Sequence, residues 1–442
     1  MTNEKGPNNR REHILCISLI MGDTMEKLNY RQVSITTLQN VKNILLDNSF
    51  RERAKSSLNC FTRERKMGFV SIFKFLLNLP RRPLPVELDD FCGESKITKQ
   101  AFSKARQNIK SEAFREIAVV SAQTVMTETK GCDDFRGLRV FAVDGSELEI
   151  PQTPENIAYF GAHGSETACR ARVSALLHIS SRIIADAEIT PLSIDERTLA
   201  ERHIERMKDV FNERDLLIAD RGYPSRKLIK TLEDANIKYL MRVQRSCTKE
   251  IDENPCSDFR FIWRYKKHQL NIRVVRVVLD TGETENLITN LPESEFETAC
   301  FKELYFLRWG IESKYSTLKS KFLVEHFSGK SRLAVEQDFY ATICAANLTA
   351  LTKGAADEQI AEENVGKSLK HEYQTNEKLA IKKVKNQLLI IMNEDDPVVC
   401  GQMFDALVND IARHRSEIRP GRHYPRPKDC HHRRKHRLKA VL

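Results

Sequence analysis

No Cys-x-x-Cys pair occurs in the 442 residues, and the cysteine count, eleven, is odd. Neither a disulfide framework nor a zinc ribbon is suggested, and reduced thiols in a cytoplasmic protein fit better. Cys430, His431, His432 and His436 stand close together, but a lone cysteine in an Arg-rich tail is a poor zinc site. No apolar run is long enough to cross a bilayer. Ile14 to Met21 is a short apolar stretch after Arg10 and Arg11, yet Gly22-Asp23 follows it without the small-residue pattern of a cleaved signal. Gly329-Lys330-Ser331 invites a nucleotide-binding reading. A phosphate loop needs another glycine five residues earlier, and Val324 stands there.

What the chain does have is apolar content and positive charge. Its hydrophobic fraction, 41%, supports a sizeable core, and its length suits two to four domains. The 71 Lys and Arg exceed the 61 Asp and Glu, for a formal charge of +10, which favours polyanionic partners and salt-sensitive association. The excess is sharpest in IRPGRHYPRPKDCHHRRKHRLKAVL, where Asp429 is the one acid. That tail reads either as a nonspecific phosphate contact or as a solvated end.

The most informative segment is FKELYFLRWGIESKYSTLKSKF. At roughly 100° per residue, Tyr305, Arg308, Glu312 and Lys319 fall within an arc of about 60° on a helix. Leu304, Leu307, Ile311, Leu318 and Phe322 form the adjacent apolar stripe that seats it on a core. The polar stripe is expected to face outward, one carboxylate flanked by two cations and a phenol, a set suited to holding a metal ion beside phosphate oxygens. Taken alone, such a stripe is more often a solvated face with i,i+4 pairs. Two upstream segments shift that balance. Leu138 to Val143 reads as a buried strand ending at Asp144-Gly145-Ser146, and Leu216 to Ala219 as another ending at Asp220-Arg221-Gly222-Tyr223, with Pro224-Ser225 opening a helix. The carboxyl ends of buried strands are where open α/β sheets place chemistry. Glu147, Glu149, Asp186 and Glu188 read as solvated or supporting acids. Glu325 and Asp338 are rivals to Glu312 but lack the stripe of Tyr, Arg and Lys.

The strings VDGS, DRGY and Y-x2-R-x3-E-x6-K, in this order, resemble the DDE transposases of bacterial insertion-sequence family four, which move by cut and paste through a DNA hairpin. The last string is matched in full by Tyr305, Arg308, Glu312 and Lys319, with Trp309 after the Arg and Ile311 before the Glu. FTRERKMGFVSIFKFLLNLP, ITKQAFSKAR, LITNLP and FSGKSRLAVEQDFYATICAANL extend the likeness from about Phe61 to the basic tail. The resemblance implies an α/β, RNase-H-like catalytic domain in which Asp144, Asp220 and Glu312 are catalytic and hold two Mg2+ ions per active site, with Mn2+ able to substitute. Two such ions, about 4 Å apart, would activate an attacking oxygen and stabilise a leaving one, with no protein nucleophile required. It further implies DNA and phosphate contacts by Tyr305, Arg308, Lys319 and Trp309, double-stranded DNA at element ends and targets as partner, a homodimer in the synaptic complex, no membrane, and a cytoplasmic, nucleoid-associated setting.

The organisation then reads as an N-terminal extension over 1–60, a helical DNA-binding domain over 61–130, the catalytic domain over 131–245 and 296–350, a β-strand insertion over 246–295, and a C-terminal helical region with the basic tail over 351–442. Ile97 to Arg106 is predicted as a helix capped by Thr98, with Lys99, Lys104 and Arg106 exposed like a recognition helix; an ordinary basic surface helix is the other reading. Phe259 to Tyr265 and Ile272 to Val278 read as strands with a turn at Asp280 to Glu283. Within them Trp263 is a candidate for stacking on a flipped base, though a strand Trp is more often core. Asn376 to Ile391 is a Lys-rich amphipathic segment suited to dimerisation. Two other functions stay open: a metal-dependent nuclease of the same fold that cuts without joining, and an inactive or domesticated DNA-end-binding protein.

Overall fold

The computed structural model describes residues 28–63, 65–162, 168–279 and 282–418. The apolar run at Ile14, most of the basic tail and its Cys and His residues lie outside the described residues. A sheet of eight strands organises the chain: β1 Arg139–Glu149, β2 Arg170–His178, β3 Ile183–Thr190, β4 Asp215–Ala219, β5 Lys238–Val243, β6 Asp258–Tyr265, β7 His268–Val278 and β8 Thr284–Thr289, in the order β3-β2-β1-β4-β5-β8-β7-β6. β1, β2 and β3 form an antiparallel meander, while β4 pairs parallel with β1 and β5 parallel with β4. Parallel neighbours need a long crossover. The helices Glu196–Met207 and Arg226–Asp234 supply the two crossovers, capped by the side chains of Asp195 and Ser225. This arrangement is the RNase-H-like α/β fold.

The strands expected as an insertion do not form a sheet of their own. β8 pairs antiparallel with β5 and carries β7 and β6 outward, so one sheet runs through all eight. An unpaired β5 edge would leave a row of backbone donors and acceptors open, and the apolar run Leu287-Ile288 closes it.

Successive side chains of a strand point to opposite faces. Val140, Ala142, Leu216 and Ile218 enter one core with much of the helix Arg332–Asn364, while Phe141, Val143, Leu217 and Ala219 enter the other with Ala200, Ile204, Leu228 and Leu232 from the crossover helices. The first core also receives the N-terminal helices through Phe50, Phe69, Phe73, Phe102 and Phe114. Thr98 caps the helix Lys99–Arg106 by accepting from the Ala101 N–H at 3.2 Å, and Lys99 and Lys104 are exposed. Arg106, expected to be exposed, is buried. It lies four residues after Phe102 on the same helical face, and donates to Gln337 Oε1 and Ser328 Oγ at 2.8 Å and to Asp338 at 2.9 Å. The helix is thus bolted to the long helix, and Asp338 is engaged by Arg106 and Ser328. The Lys-rich segment forms the helix Glu377–Asn393, whose Ala380, Val384, Leu388 and Ile391 are buried within this chain. Those four residues of its apolar face pack within this chain, while Ile390 of the same helix is exposed.

Candidate active site

Ala142 of β1 stands opposite Ile218 of β4. Two residues further on, Asp144 and Asp220 sit at one level on adjacent strands, which lie about 4.8 Å apart, and share the face of Ala142 and Ile218. β4 stops at Ala219 as expected. β1 does not stop at Asp144, because β2 continues to pair with it through Glu149↔Arg170. Glu147, on the far side of that extension, pairs with Arg170 at 3.1 Å.

The segment carrying Glu312 is two helices, Phe301–Phe306 and Trp309–Ser320, where one was predicted. Between them the Arg308 N–H bonds to the Tyr305 carbonyl and the Ile311 N–H to the Arg308 carbonyl, a three-residue spacing that tightens the turn. Leu304, Leu307, Ile311, Leu318 and Phe322 are all buried, so the apolar stripe is where the periodicity put it. The polar stripe does not face solvent. Tyr305 and Arg308 are buried against the strand ends: Tyr305 donates its hydroxyl to Asp220 at 3.3 Å and Arg308 pairs with Glu312 at 2.8 Å. Lys319, a turn and more away, donates to Ser146 Oγ and the Glu147 carbonyl at 2.8 Å each. Trp309 is half-buried with the Arg308 guanidinium 5.1 Å from its ring centre. Trp263 lies on β6 at the sheet's edge, with Arg226 stacked 5.4 Å from its ring.

Several groups at the site were not legible beforehand. Arg242, near the end of β5, reaches Asp220 at 3.0 Å. Tyr315 donates to the backbone carbonyl of Asp144 at 2.9 Å. Ser174 sits beside Gly145 on β2 and receives a hydrogen-bond chain from below: Asp186 holds His203 at 2.6 Å, His203 meets Ser174 Oγ at 2.9 Å, and Ser174 donates to the Asp144 carbonyl at 3.4 Å. This Asp-His-Ser series is buried throughout, so it braces the strand and offers no accessible nucleophile. Of the two sequence readings for Asp186, solvated or supporting, the second holds; Arg206 and Arg115 also pair with it, and these partners hold its carboxyl well below the usual range despite burial.

Charge is distributed unevenly over the acids. Burial pushes the Asp144 carboxyl up to about 7; Arg308 and the Gly145 N–H pull against it, while Glu196 and Glu312 add to the rise. Burial would raise Asp220 too, but the Arg221 N–H at 2.6 Å, Arg308, Arg242 and Tyr305 outweigh it and hold the group below its ordinary value. Burial, with Asp144 and Glu196 next, holds the Tyr223 phenol far above its usual pKa.

Three hard carboxylates at the mouth of a sheet suit a hard divalent cation and its oxygen ligands. Asp144 is short of positive charge, and Asp220 and Glu312 are engaged by arginines, so a cation is the charge this donor set calls for. Among the described residues no three His, Cys, Asp or Glu side chains are already gathered around one point.

An RNase-H-like sheet with acids side by side on adjacent strands defines a class of phosphoryl-transfer domains. Residues 135–348 match the family described as the transposase DDE domain, a domain that depends on divalent metal. Two relatives come from Escherichia coli (strain K12). The transposase InsG for insertion sequence element IS4 is 24% identical over 272 residues, 57% of this chain and 60% of that protein. InsZ, whose name also describes a transposase, is 25% identical over 202 residues, 43% of this chain and 66% of that protein. The chain thus spans just under two thirds of the relatives it matches. Among solved structures, the piggyBac transposase synaptic complex with hairpin DNA aligns over 92% of this chain and 87% of that one, at 11% identity and a TM-score of 0.43, too low to add to the topology above.

Proposed function

We propose that this protein is a transposase that cuts DNA at the ends of an insertion sequence and joins the freed 3′-hydroxyl to target DNA. The observation that supports it most is the register of β1 and β4, which sets Asp144 and Asp220 side by side beneath the helix of Glu312. In this reading Asp144, Asp220 and Glu312 hold two Mg2+ ions, and Mn2+ substitutes. When bound, the ions supply charge stabilisation at the attacking and leaving oxygens of an in-line displacement. The protein's own groups do the rest. Arg308, fixed between Tyr305 and Trp309 by its ring contacts at 5.7 and 5.1 Å, presents a guanidinium that a phosphate oxygen can take over from Glu312. Tyr305 orients Asp220 through its hydroxyl, and Lys319 holds the β1 extension through Ser146 and Glu147 while its charge faces an approaching backbone. A cytoplasmic, nucleoid-associated homodimer that grips two DNA ends completes the proposal.

The test is cleavage of a fragment carrying the element's own end with Mg2+ or Mn2+, wild type against Asp144→Ala. Metal-dependent hairpins and flush ends that disappear in the variant are the expected result. Nicks without joined products would point to a nuclease, and equal end binding by both proteins with no cutting under any divalent metal would refute the enzymatic reading.

A further inference from the structure

A fourth carboxylate stands at the same strand ends. Glu196 opens the crossover helix Glu196–Met207, behind its cap Asp195. A glutamate in a first helical turn is favoured by the helix dipole, which accounts for its presence but not for its pose. A Cβ placed on Gly145 would meet Glu196 Oε1 at 2.5 Å and Cδ at 2.8 Å, and one placed on Gly222 would lie 3.6 Å from Oε2. The carboxylate therefore lies across the backbone that follows Asp144 and reaches toward the backbone that follows Asp220. Gly145 has no left-handed φ to explain it; a side chain there would push the Glu196 carboxylate aside. Unlike Glu312 and Asp220, Glu196 makes no ion pair or side-chain hydrogen bond with any described residue.

An independent observation marks the same spot. Tyr223, the fourth residue of Asp220-Arg221-Gly222-Tyr223, is 1% exposed, and its hydroxyl has no hydrogen-bond partner among the described residues. Asp144 and Glu196 are the two carboxylates that weigh most on it. A buried hydroxyl left unpaired is destabilising, and beside two carboxylates it is placed to bind a polar ligand that they share.

Resting on the reading that this is a divalent-metal site, we propose that Glu196 is a fourth acid of that site, binding the cation together with Asp144 on the side opposite Glu312, with Tyr223 hydrogen-bonding to the water the cation brings. Gly145 is the positioning residue that lets Glu196 reach.

The experiment titrates Mn2+ into the full-length protein without DNA, following free Mn2+ by electron paramagnetic resonance, with melting in EDTA recorded for every variant. Glu196→Gln is expected to weaken Mn2+ binding about tenfold or more, without lowering the melting temperature. Glu205→Gln, on the same helix but paired with Lys208, should leave binding unchanged. Gly145→Ala, which displaces Glu196, should weaken binding by a similar factor, and the double variant Gly145→Ala/Glu196→Gln should be little worse than either single. If Glu196→Gln binds Mn2+ like the wild type while Asp144→Asn loses it, Glu196 is no ligand and the metal reading stands. If Asp144→Asn also binds like the wild type, or the wild type does not bind, the metal reading fails and the fourth acid falls with it.

Discussion

The same two strands carry charge at both ends. At the start of β1 and β4, Arg139 stands opposite Asp215; five residues on, Asp144 stands level with Asp220. The lower pair is closed. Arg139 Nε and Nη2 meet the two Asp215 oxygens at 2.6 Å each, Nη1 donates to the Met126 carbonyl at 2.9 Å, and Asp215 also accepts from the Asn212 N–H at 2.8 Å. Both side chains are fully buried, a situation tolerated because every charge is matched and bonded. The upper level sets like charges together, with Glu312 and Glu196 adding to them and one carboxyl raised to about 7. The lower end shows that this fold can pair a buried acid fully when only structure is at stake; the upper end spends stability on a site that wants a cation.

The two ends should respond to mutation in opposite ways. The largest effect is on chemistry: Asp144→Asn or Glu312→Gln should reduce end cleavage by roughly a thousandfold or more, since the loss falls on the charge held at the reacting oxygens. Binding of the DNA end, read by gel shift, should survive. Asp215→Asn should keep whatever activity its folded fraction allows. Equal loss of specific activity at both ends would break the contrast.

Next comes stability. Asp215→Ala strands Arg139 in the core and should cost about 3–5 kcal/mol in urea unfolding, whereas Arg139→Met with Asp215→Leu should come near to neutral. A cheap single substitution would mean that the lower pair is not closed.

A smaller effect of reversed sign is expected above. The Asp144 carboxyl moves from an ordinary 3.8 to about 7 on folding, so folding favours its protonated form. Its stabilising share is complete below about pH 4 and is lost as pH rises through 7. Asp144→Asn should therefore stabilise the ion-free protein at pH 8 by roughly 1–4 kcal/mol, and hardly at all near pH 4. Divalent metal should stabilise the wild type at pH 8 and do little for the variant. A melting difference independent of pH would contradict this.

The smallest effect belongs to Lys319→Ala, which removes the bonds to Ser146 and the Glu147 carbonyl and should cost about 0.5–1.5 kcal/mol of stability. Hydrogen exchange confined to the 145–149 stretch of β1 would show it.

Much of this was legible in the chain. Leu138 to Val143 and Leu216 to Ala219 are apolar, β-favouring runs, and a buried strand must be apolar on both faces, so their acids announced where the fully apolar stretches stop. The apolar stripe of the Glu312 segment follows from helical periodicity. The tightened turn at Leu307-Arg308 does not, because periodicity assigns a face but not the hydrogen-bond spacing within it. Exposure was misread at Arg106 and Arg308 for one reason: sequence alone assigns a charged side chain to water, and only the packed neighbour that supplies its counter-charge can place it inside.

What the sequence by itself determined is the local physics: which runs are strands, which segment carries a polar stripe, and which acids follow the apolar stretches of the strands. What only the tertiary structure decided is which of these meet. The five-residue offset between the closed pair and the open one depends on the register of β1 against β4. The approach of Glu196 to Gly145, the reach of Arg242 from β5 and the brace from Asp186 through His203 to Ser174 depend on crossover helices and strand order. These contacts join residues tens of positions apart, and chain-local periodicity carries no information about such distances until loops close and side chains pack.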